Sequence, residues 1–307
     1  MKKIALATAL GVFALLAPNA ASARVVGALS IGWENTEFSY DNSYSDYCEG
    51  YCYLTGEDKE SGPFISGAVA APLLRNNDNW IVVGEGRIQS EKEEYSSDYY
   101  YDENGYESHD NVAHGAVHLA YHTEEWAAAG FYGIENDHGW DVQMAGLEGQ
   151  LYLPNMTLDG AFAYGTHDGG TYSYDGYDAW QAQANMAYYL NDNWTFGVGV
   201  GYSSQEYDQN GPQTDLTTVG VSAEYWVPES NYSIRAAYVH GDASVDYANY
   251  YYGGSVDYSS DTIQVQFVLN FGTENARDRD QSGLGLSGAD GFDLHTRLRE
   301  DVGYFAS

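Results

Sequence analysis

Along most of the chain, apolar and polar residues alternate one for one. In 194–203, Trp194, Phe196, Val198, Val200 and Tyr202 fall on one side of an extended strand, and Thr195, Gly197, Gly199, Gly201 and Ser203 fall on the other. In 262–271, Ile263, Val265, Phe267, Leu269 and Phe271 oppose Thr262, Gln264, Gln266 and Asn270. The pattern predicts twelve strands, at 25–38, 63–74, 80–90, 111–122, 126–135, 141–153, 156–166, 179–190, 194–206, 215–227, 232–242 and 260–271. No helical periodicity lies between them. A soluble sheet accounts for one such strand, whereas twelve predict an all-β chain closed into an up-and-down antiparallel barrel, apolar outside and polar inside.

The connections alternate in length. Residues 75–79, 123–125, 154–155, 191–193 and 228–231 read as tight turns. Residues 39–62, 91–110, 136–140, 167–178, 207–214 and 243–259 read as loops that are mostly longer and rich in Asp, Glu, Tyr, Gly and Ser. Trp80, Trp126, Trp194 and Trp226 adjoin tight turns, while Trp33, Trp140 and Trp180 sit at the opposite ends of their segments. Indoles settle where hydrocarbon meets water, so two such rings outline a membrane slab. Hairpin register follows from the turns. A turn at 228–231 places Tyr225 opposite Ile234 and Val227 opposite Tyr232 toward lipid, with Glu224 opposite Arg235 inside. A one-residue slip would carry these charges into lipid, which specifies the register. The turn Pro154-Asn155 likewise pairs Gln150 with Asp159 inside and Leu151 with Leu158 outside.

This pattern resembles the bacterial outer-membrane porin-type barrels, over residues 24–271. The resemblance implies short turns toward the periplasm, long acidic loops outside, contact with outer-membrane lipid and lipopolysaccharide, and insertion by the barrel-assembly machinery. That machinery reads an aromatic residue ending the last strand, which Phe271 of QFVLNF supplies. Here a further 36 residues follow it, 272–307, a polar stretch rich in Gly, Asp and Arg with four of the mature chain's basic residues. Two readings of this extension stand open: a periplasmic tail, or a segment folded back into the lumen. Homo-oligomerisation also stays open, since barrels of this kind include trimers and monomers.

Residues 1–23 read as a secretory signal, with Lys2, Lys3, an apolar run from Ile4 to Ala17 and Ala21-Ser22-Ala23 at the cleavage site. Removing the two lysines from 12 Lys+Arg leaves 10 against 45 Asp+Glu, a formal charge of −35. That charge argues against a nucleic-acid partner. Cys48 and Cys52 read as a loop disulfide in an oxidising exported setting, because no metal ligands lie nearby and the spacing misses C-x-x-C.

Candidate chemistry is sparse. His114, His118 and His122 recur every fourth residue, but on a strand four residues span ~13 Å, so they line the lumen rather than share a metal ion. Gly283–Gly288 matches G-x-G-x-x-G without the strand–helix unit a dinucleotide needs. Asp278–Gly283 opens like a calcium loop, yet its twelfth position is Ala289. No His-x-Ser occurs, as a barrel phospholipase would require, and the strand count departs from the ten of omptin-type proteases. No enzyme, cofactor or metal centre is therefore expected, beyond weak divalent cations at the acidic, Tyr-rich loops. Inward residues gather into a belt of Glu85, Glu148, Asp159 and Glu224 against Arg87 and Arg235, with His114, His118 and Gln183 beside them. A surplus of carboxylates in a narrow aqueous channel favours cations. The expectation is an outer-membrane pore for passive diffusion of small hydrophilic solutes, preferring cations. The alternative is a structural or adhesive barrel with a closed lumen.

Overall fold

The computed structural model describes residues 25–42, 56–74, 77–96, 106–137, 140–167, 177–207, 213–246 and 255–286. The proposed signal at 1–23, Cys48, Cys52 and residues 287–307 lie outside the described residues. Twelve strands form: β1 (Val26–Asn42), β2 (Gly56–Leu74), β3 (Asn77–Ser96), β4 (Tyr106–His122), β5 (Trp126–Asp137), β6 (Trp140–Leu153), β7 (Met156–His167), β8 (Tyr177–Tyr189), β9 (Trp194–Tyr207), β10 (Gln213–Trp226), β11 (Tyr232–Asp246) and β12 (Ser255–Phe271). Each pairs antiparallel with its sequence neighbours, and β1 pairs with β12 from Gly27↔Phe271 to Asn42↔Val256, so the barrel is closed. Closure gives every strand two partners and leaves no edge, the condition for strands to cross hydrocarbon.

The two hairpin registers read from the turns are those observed. Tyr225 faces Ile234 and Glu224 faces Arg235, while Gln150 faces Asp159 and Leu151 faces Leu158. Outward rows are apolar and exposed, with Leu147 at 70%. Trp80, Trp126 and Trp194 are exposed near the short turns, and Trp33 and Trp180 are exposed farther along. Near the short turns the aromatic rings touch, Trp80 on Tyr121 at 5.3 Å, Tyr121 on Trp126 at 5.7 Å and Trp194 on Tyr225 at 4.8 Å. Such a girdle fits the membrane interface.

Trp226 departs from the expected ring. It is 3% exposed, shares the inward row of Glu224, and its Nε1 donates to the Ser230 carbonyl at 2.9 Å. Parity along β10 overrides proximity to the turn. The side chain of Trp140 lies outside the described set. Several strands also run farther toward the long-loop end than the apolar pattern does. β2 begins at Gly56 and β12 at Ser255, and there the outward positions carry charge, as in the Lys59–Glu37 pair at 2.9 Å. Ladder hydrogen bonds continue where the hydrocarbon stops, so hydropathy no longer marks the strand. The connection expected at 136–140 is shorter than expected, since β5 reaches Asp137 and β6 starts at Trp140.

The interior is two-sided. On β4–β8, Ala116, Phe131, Val142, Met144, Ala163 and Ala179 form a buried apolar cluster. On β9 the inward row is Gly197, Gly199 and Gly201, where an added Cβ would overlap the side-chain oxygens of Ser222, Asn185 and Thr218. Missing Cβ atoms let these polar groups lie against the wall and leave room in the lumen. After β12 the chain turns at Gly272 into a short helix, α1 (Ala276–Arg279), and a π-helical turn (Asp280–Leu284).

Candidate functional site: the lumen and the segment across it

The alternation that greases the outside delivers polar side chains to one interior space, a cavity of about 540 Å³. Among the described residues it is bordered by the carboxylates of Glu34, Glu85, Asp159, Glu224 and Asp280 and by the guanidiniums of Arg87, Arg235 and Arg279. His114 borders it too. Glu148 and His118 are buried in the wall beside it, and Gln183 sits on an inward row of β8 opposite Ala161 and Gly201.

These charges are grouped rather than spread around a belt. His118 is fully buried, with Nδ1 2.5 Å from Glu148 Oε1 and Nε2 3.2 Å from Glu85 Oε1. Its ring also lies 5.4 Å from that of Phe131. Glu85 and Glu148 thus converge on one imidazole, Glu85 at the cavity border and Glu148 in the wall behind it. Arg87 donates to Glu34 at 2.7 Å and to Gln89, and its guanidinium stacks 4.2 Å above Phe64. Glu34 also accepts from Gln264 at 2.9 Å. No motif marks Glu34 in the sequence; only its place between outward Trp33 and Asn35 points it inward.

Glu224 is the densest junction. Arg235 donates to it from Nε at 3.2 Å and Nη2 at 2.9 Å, Ser233 Oγ donates at 2.5 Å, and Arg279 grips both carboxylate oxygens at 2.6 and 2.8 Å. Two planar forks on one carboxylate make a strong, directional cluster. Arg279 comes from α1, so residues 272–286 lie inside the short-turn end of the barrel rather than apart from it. Burial pulls the Arg279 pKa down, and the carboxylates of Asp280 and Glu224 more than offset it, leaving it raised. The sequence held no signal for this contact. Asp159, by contrast, is met by Asn185 Nδ2 at 2.7 Å and by no guanidinium among the described residues.

The segment also meets strands around the mouth. Asp280 accepts from Tyr189 at 3.1 Å, and Gln281 donates to the Leu153 carbonyl at 3.1 Å. The Gln281 carbonyl lies 2.7 Å from His122 Nε2, so the third histidine of the row meets this segment. Leu286 is buried with Val26, Ala70, Ile81, Val83, Ala120 and Ala129. Asp278 accepts from the Glu274 N–H at 3.0 Å and Asp280 pairs with Arg279, while positions 287–289 of the calcium-like stretch lie outside the described residues. Among the described residues no group of three His, Cys, Asp or Glu converges as a metal site.

No protein-family model matches this chain, and no curated protein does. Among solved structures, the COG4313 outer membrane channel from Pseudomonas putida F1 superimposes with a TM-score of 0.57 at 12% identity, covering 81% of this chain and 96% of that one. A FadL homologue from Pseudomonas aeruginosa gives a TM-score of 0.46 at 11% identity, over 81% and 90%. The chain has the fold of an outer-membrane β-barrel. At these identities the likeness is one of fold, and the interior residues carry what distinguishes this barrel.

Proposed function

We propose that this barrel is an outer-membrane channel that admits small hydrophilic solutes by diffusion and prefers cations. The observation that carries the reading is the charged cavity of about 540 Å³, in which five bordering carboxylates face three guanidiniums. A low-dielectric wall concentrates that surplus, lowering the energy of a cation inside. The Arg87–Glu34 pair and the Glu224–Arg235–Arg279–Asp280 group are each neutral overall, and Glu85 and Glu148 share the one imidazole of His118. Asp159, met by an amide and by no guanidinium or imidazole among the described residues, is the carboxylate on which the preference chiefly rests.

Planar-bilayer recording across a KCl gradient tests this. The reversal potential should favour K⁺ over Cl⁻, and Asp159→Asn should shift it toward zero. An anion-selective reversal potential, or one indifferent to Asp159→Asn, contradicts the reading. A second reading, a closed-lumen structural or adhesive barrel, draws support from residues 272–286 lying across the short-turn end. Complete absence of conductance would favour it.

A further inference from the structure

The contacts of residues 272–286 are of a kind that can be undone. When a buried ion pair is parted, the damage comes from a charge left alone in the interior. Here each side keeps a counter-ion. Glu224 retains Arg235 and the Ser233 hydroxyl, which it already holds. Arg279 carries its own carboxylate, Asp280, with Nε to Oδ1 at 2.9 Å on the same segment. Two of the rim contacts are made to main-chain carbonyls, Gln281 to Leu153 at 3.1 Å and Arg277 to Pro154 at 2.7 Å. Water can serve these groups once the segment has left. The firm apolar anchor is Leu286 in its pocket of strand residues. The segment is bounded by Gly272 at φ +75° and kinked at Gly283 at φ +95°, backbone states that suit glycine and allow a sharp change of direction.

We infer that residues 272–286 are a displaceable plug, held in the short-turn mouth by the Arg279–Glu224 pair and by Leu286. The channel conducts freely when the plug withdraws. This rests on the channel reading above and adds its regulation: the passage is closed by the chain's own C-terminal segment, and its opening is set by one ionic latch and one apolar anchor.

The test uses the full chain in planar bilayers, comparing the unmodified protein with Arg279→Ala and with Leu286→Ser. Heat-modifiable migration on gels shows that each barrel is folded. Both variants should raise the open fraction or unit conductance several-fold, with the reversal potential keeping its sign. Equal conductance in all three folded proteins overturns the plug and leaves the channel reading standing. Silence in all three overturns the channel reading, and the plug with it. Should Arg279→Ala fail to fold, Leu286→Ser decides alone, because it touches no ion pair. Loss of the fold in both variants also overturns the plug, by making the segment part of the folding core.

Discussion

Glu224→Gln removes the one negative charge on which two guanidiniums converge. The Glu224 side chain is 4% exposed and that of Arg279 5%, so bulk water solvates neither. Removing one partner of such a buried pair costs about 3–5 kcal/mol, because the survivor stays charged and buried; Asp280 remains beside Arg279, so the lower end applies here. Arg235 adds little. Its side chain is 37% exposed, which reduces its share to about 0.2–1 kcal/mol. The ordering of two variants then follows. Arg279→Ala should destabilise less than Glu224→Gln, because Glu224 keeps Arg235 and Ser233, whereas Arg279 without Glu224 keeps Asp280 and an Asn270 contact at 3.3 Å. Guanidinium chloride titration of the protein in lipid vesicles, read by tryptophan fluorescence, gives both values provided the slope is unchanged. A Glu224→Gln variant within about 1 kcal/mol of the unmodified chain would show that Glu224 does not hold a buried charge pair. Arg279→Ala proving the more damaging of the two would overturn the ordering.

Two further outcomes are expected. Gly272→Ala places a Cβ against the Val25 carbonyl at a positive φ, so it should lower stability by about 1–3 kcal/mol in the same titration while circular dichroism keeps its strand signal. Gly199→Val drives a side chain into Asn185, parting it from Asp159 and narrowing the lumen; conductance should fall and stability drop by about 1–3 kcal/mol, whereas the outward Val198→Ile leaves conductance unchanged.

The barrel was legible because lipid imposes a continuous demand. Every outward position between the aromatic rows must be apolar, so parity in segments such as 194–203 and 262–271 reveals strand, face and register together. The Glu224↔Arg235 and Gln150↔Asp159 pairs followed from turn length and that parity alone. Where the demand ends, so does the signal: the first residues of β2, with Lys59 and Ser61 outward, carry no apolar alternation although the ladder to β1 continues. Trp226 misleads for a related reason, since adjacency to a turn is a weaker indicator than the inward row it shares with Glu224. Inside the barrel, parity tells which residues point inward, but beyond the hairpin pairs it does not tell which of them meet. Which carboxylate meets which cation depends on positions such as Glu85, His118 and Glu148 across three strands, and no periodicity encodes that. Residues 272–286 were the least legible part. Their alternation ends with Phe271, and the Arg279–Glu224 contact joins positions 55 apart with no pattern between them.

Whether water fills the row opposite the apolar one is read most plainly by nitroxide scanning along β10 in lipid vesicles. Labels at 219, 221 and 223 should relax chiefly with dissolved oxygen, and labels at 218 and 222 with an aqueous nickel reagent. Uniform accessibility along the strand, or the reverse alternation, would rule out a membrane barrel with a wet interior.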